Sequence, residues 1–364
     1  MMGRVKVPTN GCYLGVCITP SVISDEELAK IRSFEAAVGR RTAIANVFWL
    51  WEESSVKGLL PYFPRDSAER LVGLDIVPMV SWYAVYADPV TGKARPARCQ
   101  EVIEGKCDGL LTGWALQVKD FGYPIFLRLG WEMNIRSVGG GKFPYLGAYN
   151  FGPNGDKNWT EVDNLYKYYG DPSKPDGPER FTDAWKHIHG IFAKTEARNA
   201  MWVWCPLDVS VPDEKWNAFE NYYPGDDYVD WVGCDLYNIG YWEGETFWLD
   251  FKDMFMRYDG LKIYKKHENK PFMVAELGCS QESLPNVTGP KGKWIINAYD
   301  SIKNLYPNIK AVIWFSKDKR DAGERDWRVD SSAESLEAYR KAISDPYFLE
   351  RVIFEAIGSA QMST

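Results

Sequence analysis

Histidine is scarce in this chain, with three in 364 residues, and none pairs with the seven cysteines at a metal-ligand spacing. No Cys-x-x-Cys occurs, so a zinc or dithiol redox site is excluded and no metal is expected. Apolar runs are short. Ala311–Phe315 is typical, against the ~18 residues a membrane span needs. Positive charge is not in excess either, since 43 Lys+Arg face 50 Asp+Glu for a net charge of −7. That balance excludes a nucleic-acid binder, which needs clustered Lys and Arg, and disfavours an acidic polysaccharide. No Gly-x-Gly-x-x-Gly follows the first predicted strand, so no dinucleotide cofactor is implied, and no other cofactor is. The first twenty residues hold two basic side chains and no continuous apolar stretch of the signal-peptide kind, which leaves the compartment open. Repeats, low-complexity segments and long linkers are missing, so residues 1–364 read as a single domain and a monomer.

Aromatic residues, in contrast, are plentiful: 16 Trp, 21 Tyr and 17 Phe. Trp is large, and its N–H needs a partner when buried. A surplus means either an aromatic-rich core or flat platforms on which sugar rings stack.

Short apolar runs alternate with stretches of helical period. The predicted strands are Tyr13–Thr19, Ile44–Leu50, Ile76–Trp82, Ile125–Leu129, Ala200–Cys205, Trp231–Leu236, Phe272–Glu276 and Lys310–Phe315. Most are continuously apolar, as expected for strands covered on both faces of a parallel sheet. The predicted helices are Asp25–Ala37, Ser67–Leu74, Arg98–Phe121, Glu179–Lys194, Trp248–His267, Lys291–Leu305 and Ser332–Ser344, with a short one at Trp216–Asn221. Phe181, Trp185, Ile188 and Phe192 share one helical face. Eight strands in strict alternation with helices predict a (β/α)8 barrel. The long irregular stretch Ile135–Pro178 follows the fourth strand, on the face where barrels carry their sites.

In such a barrel the residues to read lie at the C-terminal ends of the strands. Tryptophans gather there, at Trp49, Trp51, Trp82, Trp131, Trp204 and Trp314, and point to a sugar platform. Two carboxylates close apolar strands, Glu132 after the fourth and Glu276 at the seventh. These strands lie on opposite sides of the barrel, so the two can face each other across the mouth. Glycoside hydrolysis needs such a pair, one protonated and one ionised, at a separation that sets retention or inversion. Burial against Trp131 suits Glu132 to be the acid/base, and hydrogen bonding suits Glu276 to be the nucleophile. Tyr237, ending the sixth strand, either donates to Glu276 or packs as a rim aromatic. Other groups have plainer readings. His187 and His189 sit on a helix away from the mouth. Cys205, Cys234 and Cys279 are a cluster or small buried hydrophobes. The run 317–328 is a solvated loop or a calcium site, and Asp235 and Glu52 are supporting carboxylates.

The segment Phe126-Leu-Arg-Leu-Gly-Trp-Glu-Met-Asn134 resembles the fourth-strand motif of glycoside hydrolase family 26. Further similar segments follow in order: Ala184–Phe192, Trp202–Pro206, Tyr222–Gly233, Lys270–Gly278, Ile313–Phe315 and Asp326–Ser331. The resemblance covers about residues 75–340. It implies a retaining endo-glycosidase on a neutral β-linked polysaccharide, with Glu132 as acid/base and Glu276 as nucleophile. Trp314 would floor the subsite beside the scissile bond. Trp82, Trp204 and Tyr237 would line the cleft, with Arg128, Trp131 and Asn134 also binding substrate. β-1,4-Mannan is the first expectation, with β-1,3-xylan and mixed-linkage or β-1,4-glucan as alternatives. A non-catalytic sugar-binding barrel would keep the platform but leave the two glutamates unexplained. The family's mannanases carry His before the acid/base Glu. Here that residue is Trp131, whose indole donates a single N–H and otherwise stacks.

Overall fold

A computed structural model describes residues 3–18, 23–49, 62–82, 84–87, 94–97, 99–135, 178–211, 213, 215–242, 245–284, 287–288 and 291–356. The eight expected strands form one parallel sheet: β1 Cys12–Cys17, β2 Ile44–Trp49, β3 Val77–Trp82, β4 Ile125–Leu129, β5 Ala200–Trp204, β6 Trp231–Asn238, β7 Phe272–Cys279 and β8 Ile309–Phe315. Each strand pairs with its sequence neighbour, and β8 pairs back onto β1 from Ala311↔Tyr13 to Phe315↔Cys17, so the barrel closes.

Helices cover the outside: α1 Asp25–Val38, α2 Arg65–Val72, α3 Asp108–Phe121, α4 Pro178–Thr195, α5 Phe251–Arg257, α6 Gly260–Lys266, α7 Lys291–Asn304 and α8 Ala333–Ile343. Their ends follow local chemistry. Ser24 caps α1 by accepting the Glu27 N–H at 3.3 Å, and Gly39 ends it in the left-handed region at φ 75°. Ser332 and Ser335 form a capping box at the start of α8. Phe181, Trp185, Ile188 and Phe192 are all buried on α4, as their spacing predicted. Among the described residues, no helix is long and apolar enough to cross a membrane.

Three helix expectations need correction. The stretch 98–121 splits into Cys99–Ile103 and α3, because Gly105 turns through φ 75° between them. The stretch 248–267 splits into α5 and α6. Gly260 lies so close to Phe255 that a Cβ there would sit 2.6 Å from its ring. Between β5 and β6 the chain makes three 3-10 turns, Lys215–Asn217, Phe219–Tyr222 and Asp226–Tyr228, where a short helix was expected. The loop 135–178 and Glu52 fall, apart from Ile135 and Pro178, outside the described residues.

Strand parity divides the core in two. Outward side chains such as Leu127, Trp202 and Val274 pack with the helices in one large apolar cluster. Inward side chains such as Met79, Phe126, Met201, Trp231, Met273 and Ile313 pack with one another inside the barrel. Towards the C-terminal ends the inward positions turn polar: Asn46 on β2, Ser81 on β3, Arg128 on β4, Asp235 on β6 and Glu276 on β7, all buried. An apolar plug therefore fills the lower barrel, and a polar layer lies at its mouth.

Candidate active site

Arg128 organises this polar layer. Its side chain is completely buried, and its Nη1 donates to both Asp235 oxygens at 2.9 and 2.8 Å. Nη2 donates to Glu276 Oε1, and Nε donates to Ser81 Oγ at 2.8 Å. Trp131 and Phe48 lie over the guanidinium, with ring centroids 5.2 and 5.7 Å from Cζ. A planar, always charged fork suits this task, since it can hold two carboxylates at once in fixed directions.

Glu276 reaches the mouth through a β-bulge. Along β7, Val274 pairs with Cys234 of β6, yet Glu276, two residues on, pairs with the next residue, Asp235. The extra residue breaks the alternation, so Ala275 and Glu276 both face inward while Val274 and Leu277 face the helices. Tyr237 donates its hydroxyl to Glu276 Oε2, leaving Oε1 to Arg128. Gly278 makes this approach possible, because a Cβ there would come within 2.6 Å of Tyr237 Cδ1 and 3.0 Å of Trp327 Cε3.

Glu132 stands just past β4 in the left-handed region, at φ 53°, after Gly130 at φ 52°. For a non-glycine residue this conformation is costly and is held only by strong neighbours. Here the Gly130 N–H donates to Trp82 O at 2.9 Å, and the Glu132 N–H donates to Cys205 O at 2.8 Å. Burial, and then the charge of Glu276, push the Glu132 carboxyl up to about 8; Arg128, Lys319 and a hydrogen bond with Asp235 pull it back. Burial also raises Asp235 well above the carboxylate range, against the pull of Arg128. Two carboxylates thus bond one guanidinium, and Glu132 beside them, raised to about 8, favours its protonated form at neutral pH, which is the condition a general acid needs.

Aromatic rings wall this layer. Trp131 packs on Phe48 at 5.3 Å, Phe48 on Phe315 at 6.5 Å, Phe315 on Tyr237 at 5.7 Å, and Tyr237 on Trp327 at 5.0 Å.

The structure brings together five of the nine expected site residues: Glu132, Glu276, Arg128, Trp131 and Tyr237. Arg128 is spent on carboxylates and has no exposed surface, so it holds the site rather than meeting a substrate. The other four lie elsewhere. Trp82, Trp204 and Trp314 sit at outward positions, 2%, 0% and 0% exposed. Trp82 stacks on Trp114 of α3 at 4.4 Å. Trp204 donates its N–H to Tyr222 O at 2.9 Å, and Trp314 donates to Trp327 O at 2.9 Å. Each faces helices and loops behind the barrel wall and does not line the cleft. Asn134 spends its amide on the segment after β5: Nδ2 donates to Leu207 O at 2.9 Å and Val209 O at 3.0 Å, and Oδ1 accepts from Leu207 N.

Sequence reasoning missed Phe48, Phe315 and Trp327 as walls of the site, and Ser81 and Asn46 as part of its polar layer. Parity was the available signal: Phe315, next to Trp314, is the inward one of the two. The plainer groups fall as follows. The seven cysteines are free and buried. His187 Nε2 meets Asp108 at 2.7 Å, and His189 packs on Trp202 and Tyr228. In the 317–328 run, Asp318 and Asp326 are paired with Arg320 and Arg328.

Two glutamates, one just past β4 and one on β7, stand at the mouth of a closed (β/α)8 barrel, the arrangement that glycoside hydrolysis uses. Residues 157–288 match the family model "Glycosyl hydrolase family 26". Endoglucanase H of Acetivibrio thermocellus is 28% identical over 348 residues; the match takes in 94% of this chain and 32% of that protein, so this chain spans about a third of its relative. Among solved structures, a modular endo-β-1,4-mannanase from Cellulomonas fimi superposes with TM-score 0.60 at 18% identity, covering 96% of this chain and 76% of the other. A GH26 β-mannanase from Bacteroides ovatus does so with TM-score 0.57 at 15% identity, covering 94% and 90%. Part of the chain thus resembles glycosyl hydrolase family 26, and its barrel is the fold of those structures.

Proposed function

We propose that this chain is a retaining endo-glycoside hydrolase of a neutral β-linked polysaccharide, with its machinery in one catalytic domain. The observation that carries the reading is the unequal treatment of two glutamates. Glu276 receives two donors, Arg128 and Tyr237, which fix both its oxygens and suit it to be the nucleophile. Glu132 is desolvated beside it and keeps its proton, which suits the acid. Glu276 attacks the anomeric carbon while the bond to the leaving oxygen breaks and Glu132 protonates that oxygen. Water then gives its proton to Glu132, adds to the same carbon and frees Glu276, with configuration retained.

For the substrate we infer a β-glucan. The relative that matches along almost the whole chain is named an endoglucanase. At the residue before the proposed acid, this chain has an indole packed against Phe48 and Arg128 where the family's mannanases have a hydrogen-bonding His. β-1,4-Mannan is the second reading, favoured by the mannanase barrels at 15% and 18% identity, a likeness of fold.

The test is reducing-sugar release from mixed-linkage β-glucan, β-1,4-glucan, β-1,4-mannan and β-1,3-xylan, with the first product anomer followed by NMR. Turnover of a glucan with the β-anomer formed first is expected. Inversion would overturn the mechanism, and turnover of mannan alone would overturn the substrate. Tight binding without turnover would leave a sugar-binding barrel.

A further inference from the structure

Beneath the carboxylates, Arg128 rests on two buried side chains that the proposed mechanism does not use. Its Nε donates to Ser81 Oγ at 2.8 Å, and the Ser81 hydroxyl donates to Asn46 Oδ1 at 2.7 Å. Ser81 is 0% and Asn46 1% exposed, so solvent cannot replace either contact. They stand on consecutive strands: Ser81 is the register partner of Arg128 across β3 and β4, and Asn46 projects inward from β2.

A guanidinium is a rigid plane, so fixing Nε fixes where both Nη groups point. That constraint matters because two carboxylates compete for the fork. Asp235 takes Nη1 with both oxygens, and Glu276 takes only one contact from Nη2. A tilt of the plane towards Asp235 would cost Glu276 its donor while leaving the buried charge compensated. The serine hydroxyl has one proton. With that proton committed to Asn46 Oδ1, its lone pairs are turned to the Arg128 N–H. Without Asn46 the proton would be free to point at the cation, donor against donor. Phe48 and Trp131 lie over the guanidinium.

We infer that Ser81 and Asn46 are positioning residues for the nucleophile, acting through Arg128 as a relay Asn46–Ser81–Arg128–Glu276. The inference rests on the proposed function, in which Glu276 attacks the sugar. Misplacing a reacting group by about 1 Å costs on the order of 100-fold in rate. Ser81→Ala therefore lowers kcat about 100-fold with KM within about twofold. Asn46→Ala, one bond further away, has a smaller effect of about tenfold. Ser81→Thr keeps the oxygen and retains most of the activity.

The discriminating readout is inactivation by a 2-deoxy-2-fluoro glycoside with an activated leaving group, which needs the nucleophile but not the acid. The trapping rate of Ser81→Ala should fall by the same factor as its kcat. A Ser81→Ala protein with a lowered Tm and an unchanged trapping rate would show a purely structural role and overturn the relay. So would a Ser81→Thr protein no better than Ser81→Ala when both are folded by Tm. A wild-type protein that turns over no β-glycan would overturn the functional reading and the relay together, and that control is read first.

Discussion

The two faces of the barrel wall use similar residues for opposite purposes. Outward from the strands, Trp82, Trp202, Trp204 and Trp314 lock the sheet to Trp114, Trp185, Tyr223 and Trp294. Inward, Phe48, Trp131, Phe315, Tyr237 and Trp327 surround a buried cation and its carboxylates. The outer rings bury apolar area, and Trp185, Trp204, Trp294 and Trp314 give their N–H groups to backbone carbonyls, as stability requires. The inner rings lower the dielectric around charges that would be cheaper to hold in water, as the proposed catalysis requires. One residue of register separates the roles: Trp314 is structural, and Phe315 beside it faces the site.

Removing the inner carboxylates should have the largest effect on turnover. Glu276→Ala is expected to lower kcat/KM by at least about 10⁴-fold, with Tm little changed, because it removes the nucleophile of the proposed mechanism. Glu132→Ala should cost about 10²–10⁴-fold on a polysaccharide, the range of general acid catalysis. On an aryl glycoside whose leaving group needs no proton, formation of the glycosyl-enzyme should survive the same change. Steady-state kinetics on both substrate types, with thermal melts as the control, checks each.

The next pair sets the two faces against each other directly. Trp327→Phe should lower kcat/KM about tenfold, since Trp327 backs Tyr237, which donates to Glu276. Trp314→Phe should leave kcat/KM within about twofold and cost about 1–3 kcal/mol of stability through lost packing and the lost N–H bond to Trp327 O. The comparison fails if the two variants trade places. Gly278→Ala sharpens it, because the new Cβ must displace Tyr237 or Trp327. A fall of about tenfold in kcat is expected, with binding of substrate analogues maintained.

Much of this was legible in the sequence. Strand β4 has the expected ends, and all eight strands overlap their predicted ranges, because runs of buried β-branched and aromatic residues of strand length are a strong local signal. Glu132 and Glu276 stand out in the sequence because a carboxylate ending an apolar strand is conspicuous. The orientation of strand-end residues was not legible. Glu276 faces inward only because of a bulge in β7, a two-against-one pairing that depends on β6 rather than on the local sequence. The tryptophans were misplaced for the converse reason: aromatic content identifies rings, and only closure of the barrel assigns them a face. The split of α5 from α6 at Gly260 is likewise tertiary, set by contact with Phe255.

The pH response should also differ between the faces. In the mouth, Glu132 is raised from its ordinary value to about 8. The proposed mechanism needs its proton for the acid step, so kcat/KM on polysaccharide should fall as pH rises through about 8. A folded value above the unfolded one means that the fold binds the proton more tightly, so stability declines as pH rises from about 4.5 towards 8. Glu132→Gln should therefore lower turnover of polysaccharide by the same about 10²–10⁴-fold yet raise stability near pH 8 by about 1–2 kcal/mol. A melt showing no gain would count against a desolvated acid.

On the outer face, His267 supplies the smallest expected effect on turnover. It is 4% exposed, packed on Tyr223 at 4.2 Å and Trp204 at 5.5 Å, and burial lowers it to about 4. The fold therefore prefers the neutral ring while the unfolded chain takes up a proton below about 6.5. Protons favour unfolding across that window, so the stabilising contribution is complete above pH 6.5 and is lost as pH falls to about 4. His267→Phe keeps a ring against Tyr223 and removes the titration. Its stability should fall less steeply than that of the wild type between pH 6.5 and 4, by about 2–3 kcal/mol over the window, with kcat unchanged at pH 7. Parallel pH–stability curves would mean that His267 becomes charged without cost. An altered kcat would mean that the outer face reaches the chemistry after all.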